Sequence, residues 1–479
     1  MISDIRSERL KRKIAQKAFA RALGIPVTEL SKWERGLVSI EQIDFDALSR
    51  QFVCAPTDLR RAQEEYLVCA TPGEGYTTAV HDEVFVFERT QQLAKNKPKV
   101  LDLFCGAGGF SFGLESTGYF QVTGGIDILP DRIATFRANH GQATAVCGDI
   151  RSYSIQALAD AALHPEVIVG GAPCQGFSSI RPFRNLMEND PRNSLFEQFV
   201  LAVASMRPEW CIFENVVGLL THQGGIVLDS LLAALNDVGF RTDWRVINAA
   251  HYGVPQNRER LIVVGSRDGM EFPWPTPTHF SENRSMAGKR AKTIPVSPLF
   301  QRLKPAVTVM DAIGDLPPIP AGEMVSQYSR TARETDYTRQ MRGNCSRLTL
   351  HESTAHSEKM MEIIRLAGAN RSALPAHMTS SGFSSCYSRL DGDKPSVTLT
   401  VNFVHPASNK CIHPLQDRAL TPREGARIQG FPDSFEFCGS RAQIVKQIGN
   451  AVPPLLGRVI GEALATAMNA RIGELLEAI

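Results

Sequence analysis

Cys174 stands in "GGAPCQGFSS", directly after the short apolar run "PEVIVGG". A thiol with a pKa of about 8.5 needs activation before it is a good nucleophile. Glu214 follows a second apolar run, "EWCIFENV", and a carboxyl with a raised pKa can donate a proton at neutral pH. Arg258 and Arg260 lie two apart in "QNRERLIVVGS", at the start of a strand-like run, so they point to one side. Paired guanidiniums suit phosphate or carbonyl oxygens. Upstream, "VLDLFCGAGGFSFGLESTGY" joins an apolar run to a loop with Gly106, Gly108 and Gly109 and then a helical stretch. Such a unit commonly holds a nucleotide-like ligand at the carboxyl edge of a sheet, where glycine allows close backbone approach. Ser111 occupies the place of the third glycine of the dinucleotide fingerprint, which points away from NAD and toward another adenine-bearing cofactor. Asp127 in "GGIDI" and Asp149 in "VCGDI" end the next two apolar runs. Carboxylates there can accept hydrogen bonds from a ribose diol or an adenine amino group, or they can cap the helices that follow.

Each feature has a plain alternative. Cys174 could be an inert thiol, Glu214 a helix-cap partner, and the two arginines a surface ion pair. Their joint appearance at consecutive strand ends weighs against those alternatives. The 10 cysteines are scattered and form no Cys-x-x-Cys pair, which argues against a zinc site and a compact disulfide framework. A reducing cytoplasm is the expected compartment, with no metal.

The elements that must position these residues form a regular series. From Lys97 onward, "KVLDLFC", "VTGGIDI", "EVIVGGA", "EWCIFEN", "DWRVINA" and "ERLIVVGS" alternate with helical stretches, the pattern of an α/β chain with a parallel, doubly wound sheet. The chain has 479 residues, 43% hydrophobic and 21% charged, as in proteins with several packed cores. No signal peptide or membrane span is expected. Five segments are expected: an all-α unit over residues 1–75, a polar linker over 76–97, a catalytic and cofactor-binding domain over 98–271, a smaller mixed domain over 272–417, and a return to the catalytic domain over 418–479. The overall charge is only +2, but residues 278–417 carry 17 Lys+Arg against 12 Asp+Glu, a net of +5. That suits a phosphate-facing surface or, equally, a solvated domain.

Six blocks in order carry a family resemblance: "DLFCGAGGFS", "GGAPCQGFS", "FENV", "QNRERL", "RALTPREGARIQGFPDSF" and "QIGNAVPP". From Lys97 to its end the chain resembles the DNA cytosine-5 methyltransferase family, whose fold is a Rossmann-like sheet that uses S-adenosyl-L-methionine. The resemblance implies that Cys174 adds to carbon 6 of a cytosine flipped out of the duplex. Glu214 would hold the exocyclic amine and protonate ring nitrogen 3. Arg260 would bind the ring carbonyl, and Arg258 would support the nucleophile and a nearby phosphate. It further implies that Phe104 stacks on the cofactor adenine, and that Gly106, Ala107 and Gly109 form the loop at its methionine end. Asp127 would take the ribose hydroxyls with Ile128 beside the ring, and Asp149 the adenine amino group with Ile150. Leu195, Asn450 and Val452 would close the pocket. Where the family often has Glu and an aromatic, this chain has Asp127 and Ile128. Gln175 and Ser178 resemble part of a loop that closes on DNA. Residues 272–417 correspond to the variable target-recognition domain, with Arg389, Thr398 and Thr400 as DNA-contact candidates.

The N-terminal "IAQKAFARALGIPVTELSKWERG" resembles a repressor-type helix-turn-helix, with Gly24 at the turn and Thr28, Glu29, Ser31 and Lys32 on the recognition helix. Residues 1–35 hold nine Lys+Arg and four Asp+Glu, a net of +5. The resemblance implies double-stranded DNA as substrate, a restriction–modification context with a cognate endonuclease, and repression at the protein's own promoter DNA. A monomer is expected, with dimerisation through the N-terminal unit left open. An operon repressor with methylation secondary, and an RNA cytosine-5 methyltransferase, are the alternatives. The intact catalytic set argues against the first, and the long insert and helix-turn-helix against the second.

Overall fold

The computed structural model describes residues 14–33, 43–60, 76–78, 84–172, 195–282, 290–297, 302–329, 334–378 and 385–477, with residues 5, 9, 12, 285 and 288 besides. Near the N-terminus, α1 (Gln16–Leu23), α2 (Val27–Trp33) and α3 (Phe45–Phe52) enclose a small core. Phe19, Leu30, Trp33, Leu48 and Phe52 fill it, with Phe19 stacked on Phe52 at 4.8 Å. Gly24 closes α1 at φ 71°, a left-handed position that favours glycine.

The main lobe is a nine-stranded sheet. In chain order its elements are β1 (Tyr76–Thr78), β2 (Phe85–Phe87), β3 (Lys99–Leu103), α4 (Gly109–Glu115), β4 (Gln121–Asp127), α5 (Pro130–Asn139), β5 (Thr144–Cys147), α6 (Ile155–Ala161), β6 (Val167–Gly170), α7 (Leu195–Met206), β7 (Trp210–Val216), α8 (Ile226–Asp237), β8 (Arg241–Asn248) and β9 (Glu259–Ser266). The spatial order is β1-β2-β5-β4-β3-β6-β7-β9-β8. The five strands from β5 to β7 pair in parallel. Their residues alternate between two buried faces. Val100, Val167 and Ile212 join the core under α4 and α5, while Leu101, Ile168 and Phe213 join the core under α6, α7 and α8. Burial on both faces explains why these strands read as continuous apolar runs.

Parallel pairing stops at the edges. Between β8 and β9 the chain makes only a 3-10 turn, Ala249–Tyr252, and a short loop, too little for a crossover helix. β9 therefore inserts antiparallel between β7 and β8. At the other edge β2 pairs antiparallel with β5. The segment expected as a polar linker thus contributes strands, because Val84, Val86 and Phe87 in it bury apolar side chains.

The smaller lobe contains β10 (His279–Phe280), β11 (Lys304–Pro305), α9 (Val309–Ile313), α10 (Asp336–Arg342) and α11 (Glu358–Leu366). It extends past the expected boundary at residue 418. Leu420, Ile428, Phe431, Phe435, Ile444 and Ile448 pack with Val309, Leu316, Tyr337, Leu399 and Phe403 in one core. So α12 (Pro422–Ile428) and α13 (Arg441–Asn450) belong to this lobe by their packing. α14 (Pro454–Glu477) rejoins the main lobe, where Leu456, Ile460 and Leu464 share a core with Leu114 of α4.

Candidate active site

The carboxyl end of β3 turns sharply. Phe104 is half-buried at φ 58°, Gly106 lies at φ 55°, and Gly108 caps α4 from φ 81°. The Gly106 N–H donates to Asp127 Oδ2 at 3.0 Å, and the Leu129 N–H to Oδ1 at 2.9 Å. Asp127, at the end of β4, is thereby fixed beside the loop. Burial raises its pKa, against the pull of those two N–H groups and of Arg132. Ile128 next to it is an apolar side chain left 57% exposed. Ala107 is buried, and a Cβ at Gly109 would meet the Val452 carbonyl at 2.5 Å, so the loop and the start of α14 are in close backbone contact.

Asp149 and Ile150 follow β5. The Asp149 carboxylate caps its own turn: it accepts the Arg151 N–H at 3.0 Å and the Arg151 Nε at 3.0 Å. The Arg151 guanidinium, first, and the Arg151 N–H also hold its pKa below the usual carboxylate range. The capping alternative is therefore present, with the Arg151 side chain added to it. Ile150 is buried, Leu195 is half-buried at the start of α7, and Asn450 is exposed at the end of α13. The donor set fits an adenosine group: an acid anchored to a glycine loop, an uncovered apolar side chain beside it, and a second acid one strand away. Asp127, Ile128, Phe104 and Asp149 would hold it.

The second set gathers at the ends of β7 and β9, separated from the glycine loop after β3 by β6. Arg260 of β9 reaches Glu214 of β7 with Nε 2.9 Å from Oε1, both side chains largely buried. The register explains the meeting, since Arg260 sits opposite Val216, two residues beyond Glu214 on the same face. Burial raises the Glu214 pKa, while Arg260 and then Arg258 work to lower it. Asn215 was not singled out from the sequence although it lies inside "FENV". Its Nδ2 donates to the Ala172 carbonyl at 3.2 Å and its Oδ1 accepts the Val216 N–H at 2.7 Å. It thus pins the chain two residues before Cys174. Cys174, Gln175 and Ser178 lie outside the described residues.

Arg258 does not join this pair. It is fully buried, and its guanidinium points at backbone carbonyls of the smaller lobe. Two of the DNA-contact candidates, Arg389 and Thr398, have their polar groups bonded within the protein. Arg389 directs all five N–H donors inward, to the Ala367, His413, Gln416 and Ile364 carbonyls and to Asp417. The Thr398 hydroxyl donates to the Asn257 carbonyl at 2.8 Å, and Thr400 is half-buried with its carbonyl against Gly449. In the N-terminal unit Thr28 is exposed and Glu29 half-buried on α2. Ser31 and Lys32 belong to the same helix, and their side chains lie outside the description.

A further buried group sits under the glycine loop. Asp102 of β3 has its pKa pushed up to about 7 by burial, and hydrogen bonds from Ser111 draw it back. Its Oδ2 has no partner among the described residues. His140 nearby places Nδ1 3.0 Å from Glu115 Oε2.

Among the described residues no helix is long and apolar enough to cross a membrane, and no cluster could hold a metal ion. Residues 98–466 match the model of the C-5 cytosine-specific DNA methylase family, and residues 5–59 match a helix-turn-helix model. The chain is 34% identical over 369 residues to the Type II methyltransferase M1.HphI of Haemophilus parahaemolyticus, covering 76% of this chain and 86% of that one. It is 31% identical over 436 residues to the Type II methyltransferase M.AgeI of Thalassovita gelatinovora, covering 78% of this chain and all of that one. A crystal structure described as a DNA modification methyltransferase from an Escherichia coli prophage shares the fold, with a TM-score of 0.60 at 23% identity over 78% of this chain and 100% of that one. The chain belongs to the C-5 cytosine-specific DNA methylase family: it is a DNA cytosine-5 methyltransferase, with S-adenosyl-L-methionine as methyl donor and a helix-turn-helix domain ahead of its catalytic lobe.

Proposed function

We propose that the protein is the modification enzyme of a restriction–modification system, acting on a cytosine flipped from duplex DNA, with Cys174 as nucleophile and Glu214 and Arg260 as the groups that handle the ring. The observation that carries this is the Glu214–Arg260 pair, 2.9 Å apart, at the strand ends beside Ala172, from which the chain runs on to Cys174. Flipping costs a few kcal/mol of stacking and pairing. The Cys174 thiolate adds to carbon 6 while Glu214 delivers its proton to ring nitrogen 3, so no full negative charge builds on the ring. Burial suits Glu214 to that task, because it keeps the proton on the carboxyl nearer to neutral pH. Arg260, bonded to Glu214 through Nε and to the Glu259 carbonyl through one terminal nitrogen, offers the other terminal nitrogen to the ring carbonyl. S-Adenosyl-L-methionine supplies the electrophilic methyl group for carbon 5. Loss of the carbon-5 proton to solvent expels the Cys174 thiolate, and return of the ring-nitrogen proton to the Glu214 carboxylate restores the neutral aromatic ring.

Tritium transfer from labelled cofactor into duplex DNA, with transfer RNA as control, tests the assignment. Cys174→Ser abolishes transfer while cofactor binding survives, and a 5-fluorocytosine target traps a covalent adduct. A Cys174→Ser protein that methylates at the wild-type rate overturns the role of Cys174. Bisulfite sequencing of cells expressing this one gene identifies the target sequence.

The N-terminal unit adds autoregulation. Thr28 is exposed at the second residue of α2, where a recognition helix meets base edges. The full chain is expected to shift its own upstream DNA in a mobility assay, and Thr28→Ala/Lys32→Ala to lose the shift while still methylating. Equal shifts of upstream and unrelated DNA would remove the regulatory role. The DNA substrate and the free, scattered cysteines of the described residues support a cytoplasmic reading.

A further inference from the structure

Arg258 lies one residue before β9, two before Arg260, yet the two guanidiniums do different things. Arg260 faces Glu214. Arg258, 1% exposed, donates through one terminal nitrogen to the Leu399 carbonyl at 3.3 Å and to Gln256 Oε1 at 3.4 Å. Through the other it donates to the Gly449 carbonyl at 3.2 Å and the Ala451 carbonyl at 3.0 Å. No carboxylate among the described residues pairs with it. Burial, first, and the charge of Arg260 push its pKa down.

We propose that Arg258 is a clasp between the two lobes, a positioning residue that fixes the smaller lobe over the Glu214–Arg260 pair and touches neither base nor phosphate. The proposal rests on reading that pair as the catalytic centre.

The residues around Arg258 form the rest of the clasp. Gln256, fully buried, accepts the Leu399 N–H at 3.0 Å and bonds Gln429 through its Nε2. Gln429 donates in turn to the Ala451 carbonyl at 2.7 Å, the same oxygen that Arg258 holds. The Asn257 N–H donates to the Ser396 carbonyl at 2.8 Å. Three consecutive residues of the main lobe are thus tied to residues 396–399 and 449–451. Turning Arg258 toward a phosphate would break four hydrogen bonds and leave buried carbonyls unpaired, which is strongly disfavoured. Ala451 also precedes Val452, whose carbonyl abuts Gly109, so the clasp secures the chain beside the cofactor loop.

The test compares Arg258→Gln and Arg258→Lys with wild type in tritium transfer to a plasmid from a methylation-deficient host. A clasp predicts that Arg258→Gln lowers kcat about tenfold or more, that Arg258→Lys recovers part of the loss, and that log kcat/KM keeps its wild-type dependence on log salt. A phosphate contact instead lowers that slope by about one and leaves kcat at saturation unchanged, and this result overturns the proposal. An unchanged kcat in Arg258→Gln overturns it as well. Should Arg258→Gln fail to fold, Gln429→Leu removes an uncharged member of the same network. It is expected to lower kcat with the slope unchanged, and a wild-type kcat there is equally fatal. Arg260→Gln and Cys174→Ser separate the parent reading: if both methylate normally, the catalytic assignment fails whatever Arg258 does.

Discussion

Among the described residues, two largely buried groupings of arginine and carboxylate are built from the same residue types for different ends. In "RALTPREGARIQGFPDSF", Arg418 forks onto Glu424 at 2.8 and 2.6 Å, and Arg427 bonds Asp433 at 2.9 and 2.7 Å and also reaches Asp315. The Tyr328 hydroxyl adds a bond to Asp433 at 2.7 Å. Every one of these charges is buried, and the network ties α12 to α9 and to the chain beyond. At the strand ends, Arg260 and Glu214 share a single bond from Nε, and both side chains keep a little exposure. A cluster of fully buried ion pairs, forked at Arg418 and Arg427, holds a fold together, although Asp315 Oδ2 within it has no partner among the described residues. A pair joined by one bond at a sheet's carboxyl edge keeps donors and a carboxyl for a substrate. Family blocks in the sequence mark both equally, and only the hydrogen-bond count separates them.

The sharpest way to break this contrast is to remove one partner from each cluster. Arg427→Ala strands Asp433 and Asp315 without their main cation in a buried site, a loss of about 3–5 kcal/mol. Denaturant unfolding is expected to show the smaller lobe melting first, or the protein not accumulating. Glu214→Gln, in contrast, is expected to cost about 10²–10⁴-fold in methyl transfer, the range for a lost general acid, with the denaturant midpoint little changed. A Glu214→Gln protein as unstable as Arg427→Ala would mean that both clusters are structural.

Acid titration separates them more gently. His413 faces Glu424, Arg418, Arg389 and His351, and its Nδ1 accepts the N–H groups of Leu415 and Gln416 at 3.0 and 3.1 Å. Burial drives its pKa down to about 4, so the neutral ring belongs to the fold. A depressed histidine contributes stability that is full above its unfolded value near 6.5 and is lost as pH falls toward 4. The expected loss is on the order of 3 kcal/mol across that window. His413→Gln should flatten the stability–pH curve there, and an unflattened curve would move the sensor elsewhere. Glu214 titrates the other way: if it supplies its proton as proposed, the rate of methyl transfer falls as pH rises past its raised pKa. Arg258→Gln removes a charge that lowers this pKa and should move that limb to higher pH, while Arg258→Lys should leave it in place.

The sequence made the sheet legible because both of its faces are buried, so each central strand is an apolar run ending in a chemical group. The strand pairing at the edges was not legible, since antiparallel β9 carries the same apolar text as its parallel neighbours. The domain limit near residue 418 was hidden for a related reason. Leu420, Ile428 and Phe431 are ordinary helix apolar positions, and nothing local says which lobe they face. At the site, Glu214 and Arg260 were found by strand-end position, and the structure brings them together. Arg258 and Arg389 share the charge and context of a contact residue, but most of their partners are backbone carbonyls, which carry no residue type to read. Asp102 shows the converse, a carboxyl inside an apolar strand whose Oδ2 finds no partner among the described residues.

The smallest expected effect concerns Asp149, where a structural bond and a ligand bond compete for one carboxylate. The Arg151 fork is partly exposed, and surface pairs of this kind contribute about 0–1 kcal/mol. If Asp149 takes the adenine amino group, that group shares the carboxylate with the Arg151 fork. Arg151→Ala removes the competitor at little cost to the fold, so cofactor is expected to bind about two- to fivefold more tightly by calorimetry, within the energy of the lost pair. Asp149→Ala removes acceptor and competitor together and should weaken binding. Weaker binding in Arg151→Ala would instead make the guanidinium part of the adenine pocket, with Asp149 as its anchor.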